Sequence, residues 1–196
     1  MSLSAGHPDN QSLNNWRMPT YIAFLRAINL GANRKFPKED IRRAVESAGF
    51  RDVETYINTG NVRFTTGMRS LPKIEAALEA AFLADRGFEV PTIVYGTTEL
   101  AGIAADAASL AVEHPEAARR YVDLLRFQPG ADTARRMEAA STENIHLFVR
   151  GRALHTLVDH GTESAGPVLV TVSKMLGVST NRNANVIAAV AGRWCR

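Results

Sequence analysis

Cationic and amide side chains cluster where a predicted strand gives way to a predicted helix in the first third of the chain. Arg26 stands near the end of that strand, and Asn29, Gly31 and Lys35 follow in a polar loop that leads to Pro37. Backbone N–H groups at a helix N-terminus, with cationic side chains nearby, suit a phosphate or a carboxylate. The loop does not have the glycine spacing of dinucleotide-binding folds or P-loops. We therefore predict a generic anion site, with a polar loop that binds nothing as the alternative.

Arg26 lies on the same predicted strand face as Ile22, Phe24 and Ile28. The sequence therefore predicts a guanidinium surrounded by apolar side chains in a central strand. Such a group needs partners, because a buried unpaired charge is costly and arginine stays charged. Two interpretations remain open: a structural ion pair with an Asp or Glu of the second half, or contact with a ligand.

Two further polar residues, Arg182 and Asn183, stand at the start of the last predicted helix, at about 183–191. Arginine can clamp an anion through two hydrogen bonds, and lysine can attract it as a point charge. We predict a small anionic ligand between the two halves of the protein. Its predicted contacts are Arg26, Asn29, Gly31, Lys35, Arg182 and Asn183. Asn183 also suits the N-cap of the helix, which needs no ligand.

Other residue types specify no reaction. His155 and His160 are spaced wrongly for a metal pair on a helix, so we interpret them as surface histidines and predict no metal site. The sequence has no Gly-x-Ser-x-Gly motif, and its single cysteine is Cys195, so nucleophilic catalysis has no visible basis. We can name neither a catalytic residue nor a cofactor, and the sequence does not specify an oligomeric state.

The segment Asn58-Thr59-Gly60-Asn61 separates two short runs of alternating apolar and polar residues. Asn and Gly tolerate positive φ, so this segment predicts a tight hairpin turn with Gly60 at positive φ. We expect the end of the first strand to lie at the opposite edge from the start of the third strand. On that expectation Asn29 and Asn61 are far apart, and they do not form one site within the first half.

The order of predicted elements indicates an α+β fold. Residues 20–95 follow the order β-α-β-β-α-β of ferredoxin-like folds, and residues 121–176 repeat β-α-β-β-α before a last helix. We predict two duplicated ferredoxin-like units, at 18–96 and 121–196, joined by a linking helix within 97–120. Residues 1–17 are polar and predict a disordered tail. Pro91 places the fourth strand at a sheet edge or at its own start.

Composition limits the class of partner. The chain has 196 residues, 45% of them apolar, and no apolar run long enough to span a membrane. One cysteine favours a reducing cytoplasm. Residues 17–73 carry eleven Lys and Arg against five Asp and Glu, which favours an anionic partner over a neutral one.

A nucleic-acid-binding module is an alternative, although the third strand has no aromatic pattern for stacking RNA bases. A structural protein without a ligand is the other alternative.

One stretch of the first half carries a family resemblance. Its motifs are Leu25-Arg26-Ala27-Ile28-Asn29-Leu30-Gly31, Lys35-Phe36-Pro37, Gly49-Phe50, Val53, and Tyr56 to Val62. Together with Thr180-Asn181-Arg182-Asn183-Ala184-Asn185-Val186, they resemble the uncharacterised bacterial family named domain of unknown function 1697. Ala27, Thr59 and Ala184 stand where relatives have Gly, Ser and Trp. The resemblance implies a duplicated α+β fold and no established activity.

Overall fold

The computed structural model describes residues 18–31, 34–162 and 165–196. The predicted disordered tail, residues 1–17, lies outside these residues. The first part of the described chain contains β1 (Thr20–Leu25), α1 (Lys38–Ser47), β2 (Arg51–Tyr56), β3 (Asn61–Thr65), α2 (Leu71–Arg86) and β4 (Thr92–Gly96). It is followed by α3 (Thr97–Glu113). The rest contains β5 (Ala117–Leu125), α4 (Ala131–Glu138), β6 (Ile145–Arg150), β7 (Ala153–Asp159), α5 (Gly166–Ser173), β8 (Ser179–Asn183) and α6 (Ala184–Trp194).

The strands form two antiparallel sheets of four strands each. The first unit, β1 to β4, has the strand order β2-β3-β1-β4, and the second unit, β5 to β8, has the order β6-β7-β5-β8. Both units follow β-α-β-β-α-β, so the predicted α+β fold of duplicated ferredoxin-like units is confirmed. β1 is central and β4 is an edge strand that starts just after Pro91, as predicted. β8 was not predicted, because its sequence Ser-Thr-Asn-Arg-Asn has none of the apolar residues that usually mark a strand.

Helices cover one face of each sheet, and the opposite faces meet in a shared core. The first outer core lies between the first sheet and α1 and α2, and the other lies between the second sheet and α4 and α5. The shared core contains residues from both sheets, α3 and α6. Its largest members are Ile22, Phe24, Ile93, Tyr95, Leu100, Val122, Leu124, Ile187 and Trp194. RNA-recognition domains stack bases on the sheet face that is not covered by their two helices. In the first unit the corresponding face is buried in the shared core.

Arg26 lies outside the core, so its predicted burial is wrong. β1 ends at Leu25, one residue before it, and the Arg26 side chain is exposed. The backbone N–H of Arg26 still donates to the carbonyl of Pro91 at 2.9 Å. The sequence pattern predicted a strand through residue 28, but Ala27 has a positive φ of 56° and turns the chain away from the sheet.

The predicted separation of Asn29 from Asn61 is also wrong. β1 and β3 are antiparallel, so the end of β1 lies beside the start of β3: Phe24 pairs with Asn61. The N–H of Leu25 donates to the carbonyl of Gly60 at 2.8 Å.

Gly60 has φ of 74°, which confirms the predicted positive φ. A Cβ atom at Gly60 would also lie 2.7 Å from Cβ of Leu25, so the turn needs glycine for its space as well as its dihedral angle.

Among the described helices, none has the length and apolar character needed to cross a membrane.

Candidate functional site

A groove of about 520 Å³ lies where the loop after β1 meets the start of α1. Three of the predicted site residues line it. The full lining set is Asn29, Gly31, Lys35, Pro37, Lys38, Glu39 and Asn58. All of these belong to the first unit, so the groove is not formed between the two halves.

Asn29 holds two walls of the groove together. It has a positive φ of 55°, a conformation that asparagine tolerates better than most residues. Its side-chain Nδ2 donates to the carbonyl of Asn58 at 2.7 Å and to that of Phe36 at 3.3 Å. Its Oδ1 accepts the N–H of Phe36 at 2.8 Å. Both N–H groups of the amide are therefore occupied, and Asn29 fixes the loop before α1 against the hairpin turn.

The charge in the groove is positive on balance. Lys35 and Lys38 are exposed, and Glu39 is the only carboxylate among the lining residues. Lys38 and Glu39 form an exposed ion pair of 3.7 Å. Among the described residues no side chain caps the start of α1, whose first turn carries Glu39 and Asp40. The positive end of this helix therefore faces the groove without a side-chain cap.

Arg182 is the one buried cation among the predicted site residues, and it lies on β8 instead of at the start of a helix. Its Nη2 donates to the carbonyls of Leu25 at 3.0 Å and Thr59 at 2.6 Å. Its Nε donates to Oδ1 of Asn61 at 2.8 Å. Its Nη1 donates to the Thr180 hydroxyl at 2.9 Å and to the carbonyl of Asn181 at 2.8 Å.

These contacts occupy all the donors of the guanidinium, since arginine has five N–H groups. All the acceptors are neutral, and within the described chain Arg182 forms no ion pair with a carboxylate. Burial without a countercharge lowers the pKa of Arg182 to about 10. Arg182 therefore joins β8 of the second unit to the end of β1 and to the hairpin turn of the first unit.

Asn183 caps α6: its Oδ1 accepts the N–H of Asn185 at 2.9 Å. This is the ligand-free interpretation that the sequence left open. Arg26 forms no ion pair with any carboxylate of the described residues, so the structural ion pair, one of the two interpretations left open for it, is absent there.

An ion pair of the kind considered for Arg26 exists at the equivalent position of the second unit. Arg126 follows β5 as Arg26 follows β1, and its N–H donates to the carbonyl of Val178 at 2.9 Å. Its side chain pairs with Glu79 and lies 3.5 Å from Glu75, both on α2 of the first unit. Burial raises the pKa of Glu75, while the N–H of Val94 and the charge of Arg126 act in the opposite direction.

A second contact between the units, made by Tyr95, was not predicted from the sequence. The hydroxyl of Tyr95 lies 2.9 Å from the carbonyl of Leu125 and 2.8 Å from that of Arg152. The guanidinium of Arg152 lies 4.1 Å from the centre of the Tyr95 ring and pairs with both carboxylate oxygens of Glu99 at 2.8 Å. Burial raises the pKa of the Tyr95 phenol. The packing of the two units against each other brings these residues together, although they lie far apart in sequence.

His155 is buried on β7 and is not a surface histidine, so that prediction is wrong. Its position on β7 points it to the inner face of the second sheet, opposite Val122 and Phe148 in the pairing. Its Nε2 has no hydrogen-bond partner among the described residues. Burial lowers the pKa of His155 to about 4, so the imidazole is neutral at physiological pH.

Comparison with known proteins now places the chain. Residues 18–155 match the family described as "Protein of unknown function (DUF1697)". The chain belongs to the DUF1697 family. Among solved structures, the conserved bacterial protein SP0830 from Streptococcus pneumoniae is similar, with 20% sequence identity and a TM-score of 0.67. The match covers 90% of this chain and 98% of that one. At this identity the similarity shows the fold alone. A search of curated proteins found no match.

Proposed function

We propose that this DUF1697 protein is a cytoplasmic protein that binds a small phosphate- or carboxylate-bearing molecule in the groove at the start of α1. One observation carries the proposal: the charges of Lys35 and Lys38 and the uncapped N-terminus of α1 converge on the same groove. A helix N-terminus and nearby cations together favour an anion. The groove volume of about 520 Å³ suits a ligand of metabolite size.

Within this site the residues have different roles. Lys35 and Lys38 supply the charge, and the exposed amide of Asn58 supplies a neutral donor. Asn29 and Gly31 shape the loop, since the Asn29 amide donors are already used and Gly31 has a positive φ of 65°. Glu39 opposes an anion, which limits the expected affinity to the range of a freely exchanging ligand.

Arg182 acts in this proposal as a positioning residue from the second unit. Its bond to the carbonyl of Thr59 holds the residue that follows Asn58, so the second unit fixes one wall of a groove made by the first. The predicted direct contact of Arg182 with the ligand is no longer part of the proposal, because all the N–H groups of Arg182 donate to protein acceptors. Arg26 does not line the groove, and we assign it only long-range attraction of an anion. Asn183 serves α6.

Calorimetric titration with inorganic phosphate, citrate and a phosphosugar, at constant ionic strength, tests the proposal. Replacing one lysine removes about 1 kcal/mol of attraction to a bound anion, so Lys35→Gln and Lys38→Gln should each weaken binding about fivefold. Lys73→Gln is the matched control: Lys73 is also exposed near a helix start, on α2, and should leave binding unchanged. A thermal-shift screen is a second readout, since a ligand at 100 times its Kd adds about 2.7 kcal/mol to stability.

The proposal fails if none of these anions binds at millimolar concentration, or if the Lys73 control changes binding as much as the groove variants do. Binding of nucleic acid that weakens steeply with salt, and that Lys35→Gln and Lys38→Gln reduce, would favour the nucleic-acid-binding alternative. A protein that binds neither class of partner would favour a structural role.

A further inference from the structure

A second cluster of side chains with coordinating atoms lies in the second unit, away from the groove. His114 follows the last residue of α3, Glu116 precedes β5, and His146 lies near the start of β6. One ligand atom from each of these three lies within 4.8 Å of the other two. The closest approach is 2.9 Å, between Nδ1 of His114 and Oε1 of Glu116. Two segments of the chain, the connection between α3 and β5 and the strand β6, therefore bring nitrogen and oxygen ligands to one place.

A fourth residue, Asp159 at the end of β7, supports this arrangement. Its Oδ2 lies 3.3 Å from Nε2 of His146. Its other oxygen, Oδ1, is buried and has no partner among the described residues. A carboxylate bonded to one ring nitrogen of a histidine fixes the tautomer and leaves the other nitrogen's lone pair for a metal.

The two imidazoles are held in place before any ion arrives. The rings of His114 and His146 are stacked, with centroids 5.0 Å apart and planes at 26°. The ring of Phe148 packs against His114 at 5.1 Å. The N–H of His114 donates to the carbonyl of Leu110 at 2.9 Å. A site whose ligands are already oriented loses little conformational entropy when an ion binds.

Charged side chains of both signs lie at the cluster. Glu116 brings one carboxylate, whose Oε1 lies 2.9 Å from Nδ1 of His114. Asp159 adds a second carboxylate. Arg120 opposes a cation, because its Nη2 lies 3.2 Å from the carbonyl of His114. The guanidinium of Arg150 also lies nearby, 5.8 Å from the centre of the Phe148 ring. The two carboxylates belong to the cluster itself, whereas both guanidiniums lie beside it.

We propose that His114, Glu116 and His146 form a binding site for a divalent transition-metal ion of the Zn²⁺ class, with Asp159 positioning His146. Two imidazoles and one carboxylate are a ligand set that zinc uses, and they leave one tetrahedral position open. The site is partly exposed: the His114, Glu116 and His146 side chains are 24%, 47% and 24% accessible. The open position faces a water or an exogenous ligand. Two surface histidines that each bond a carboxylate are the alternative, but that arrangement does not need the three ligand atoms to share a point of approach.

Titration of the untagged, metal-free protein with Zn²⁺ alone tests the site. Because Cys195 offers a thiol ligand elsewhere, the experiment uses the Cys195→Ser background. We expect one equivalent of Zn²⁺ to bind. His114→Gln and Glu116→Gln should each weaken binding at least about tenfold, and Asp159→Asn should weaken it about tenfold because it acts through His146. Binding should also weaken as the pH falls, because imidazole ligates only when deprotonated.

His160→Asn is the matched control, since His160 is an exposed histidine next to Asp159 that does not belong to the cluster. It should leave the affinity unchanged. Glu116 is exposed and makes no core contact, so Glu116→Gln reports on binding even if a histidine variant folds poorly. The absence of stoichiometric Zn²⁺ binding overturns the proposal. So does binding that Glu116→Gln leaves intact or that the His160 control abolishes.

Discussion

Tyr95 and Arg182 occupy equivalent positions in the two units, and their difference shows how a duplicated fold diverges. Tyr95 on β4 pairs with Ile22 of β1, and Arg182 on β8 pairs with Val122 of β5. Each side chain crosses to the other unit and bonds the carbonyl at the end of its first strand. Tyr95 contacts Leu125, and Arg182 contacts Leu25. We call each of these contacts a crossing. The two crossings have the same geometry, but one is made by a neutral phenol and the other by a charged guanidinium.

The two crossings differ in how their charges are compensated. Next to Tyr95, the guanidinium of Arg152 is paired with Glu99 through two hydrogen bonds. Arg182 has only neutral acceptors, so its charge is stabilised by carbonyl and amide dipoles and by the ring of Phe24, whose centre lies 5.8 Å away. A buried cation without a countercharge depends on every one of its hydrogen bonds. The Arg182 crossing should therefore be the more sensitive of the two to substitution.

The largest expected effect is that of Arg182→Leu. This change removes the donor to the Thr59 carbonyl and to Oδ1 of Asn61, and it leaves the Leu25 carbonyl with the longer bond from the Thr180 hydroxyl at 3.4 Å. Unsatisfied buried acceptors are costly, while removal of a desolvated charge offsets part of the loss. We expect the free energy of unfolding to fall by about 3 kcal/mol, measured by urea denaturation.

Arg193→Leu is the control for this change, since Arg193 lies on the adjoining helix α6 with a side chain that is 59% exposed. It should change the free energy of unfolding by less than about 0.5 kcal/mol. If Arg182→Leu costs no more than the Arg193 control, Arg182 does not hold the units together.

The second effect compares His155 with its equivalent in the first unit, Arg63. Val122 pairs with His155 as Ile22 pairs with Arg63. Arg63 is partly exposed and pairs with Glu54 at 2.8 Å, whereas His155 is buried with an unpartnered Nε2. Desolvation lowers the pKa of His155 to about 4, with Asp106 and Arg150 as smaller influences. The folded protein thus excludes a proton that the unfolded chain binds.

The stability linked to His155 is present above the unfolded-state pKa of about 6.5. It is lost as the pH falls towards the folded-state pKa of about 4. Between pH 7 and this value, the natural protein should lose about 3 kcal/mol more stability than His155→Leu. Urea denaturation at several pH values measures the difference. Parallel pH profiles for the two proteins would show that His155 is not held neutral.

The smallest effect is expected for Tyr95→Phe. The variant keeps the ring in the shared core and removes only the hydroxyl between the carbonyls of Leu125 and Arg152. Arg152 still approaches the Leu125 carbonyl at 3.5 Å and offsets part of the loss. We expect a destabilisation of about 1 kcal/mol.

Tyr121→Phe provides the control, because the Tyr121 hydroxyl has no hydrogen bond to the rest of the described chain. It should be close to neutral. A Tyr95→Phe loss as large as that of Arg182→Leu would show that the two crossings contribute equally.

The sequence predicted the fold well because hydrophobic periodicity and turn residues are local signals. The order of elements, the central place of β1 and the positive φ of Gly60 all follow from such signals. The wrong or missing predictions concern residues whose surroundings depend on where strands end and on how the two units pack together. Arg26 was predicted to be buried because the apolar pattern continues past Leu25, where the strand ends. β8 was missed because burial by the other unit, which periodicity does not report, stabilises its polar sequence.

Of the two candidate sites, the sequence indicated the groove and did not indicate the histidine cluster. Asn29, Gly31 and Lys35 were found because they follow one another in a loop. The cluster was missed because His146 lies on β6, about thirty residues after the connection that holds His114 and Glu116. Only the register of the second sheet brings β6 beside that connection.

The unequal pair of crossings has a consequence for how such a protein can arise. In a symmetric dimer of identical chains, an isologous contact must place the same residue at both crossings. One polypeptide that carries both units, with α3 between the two sheets, is free of that constraint, so one copy can keep a phenol while the other acquires a guanidinium. The two halves of this chain therefore present different side chains at equivalent points of contact, a tyrosine from the first unit and an arginine from the second.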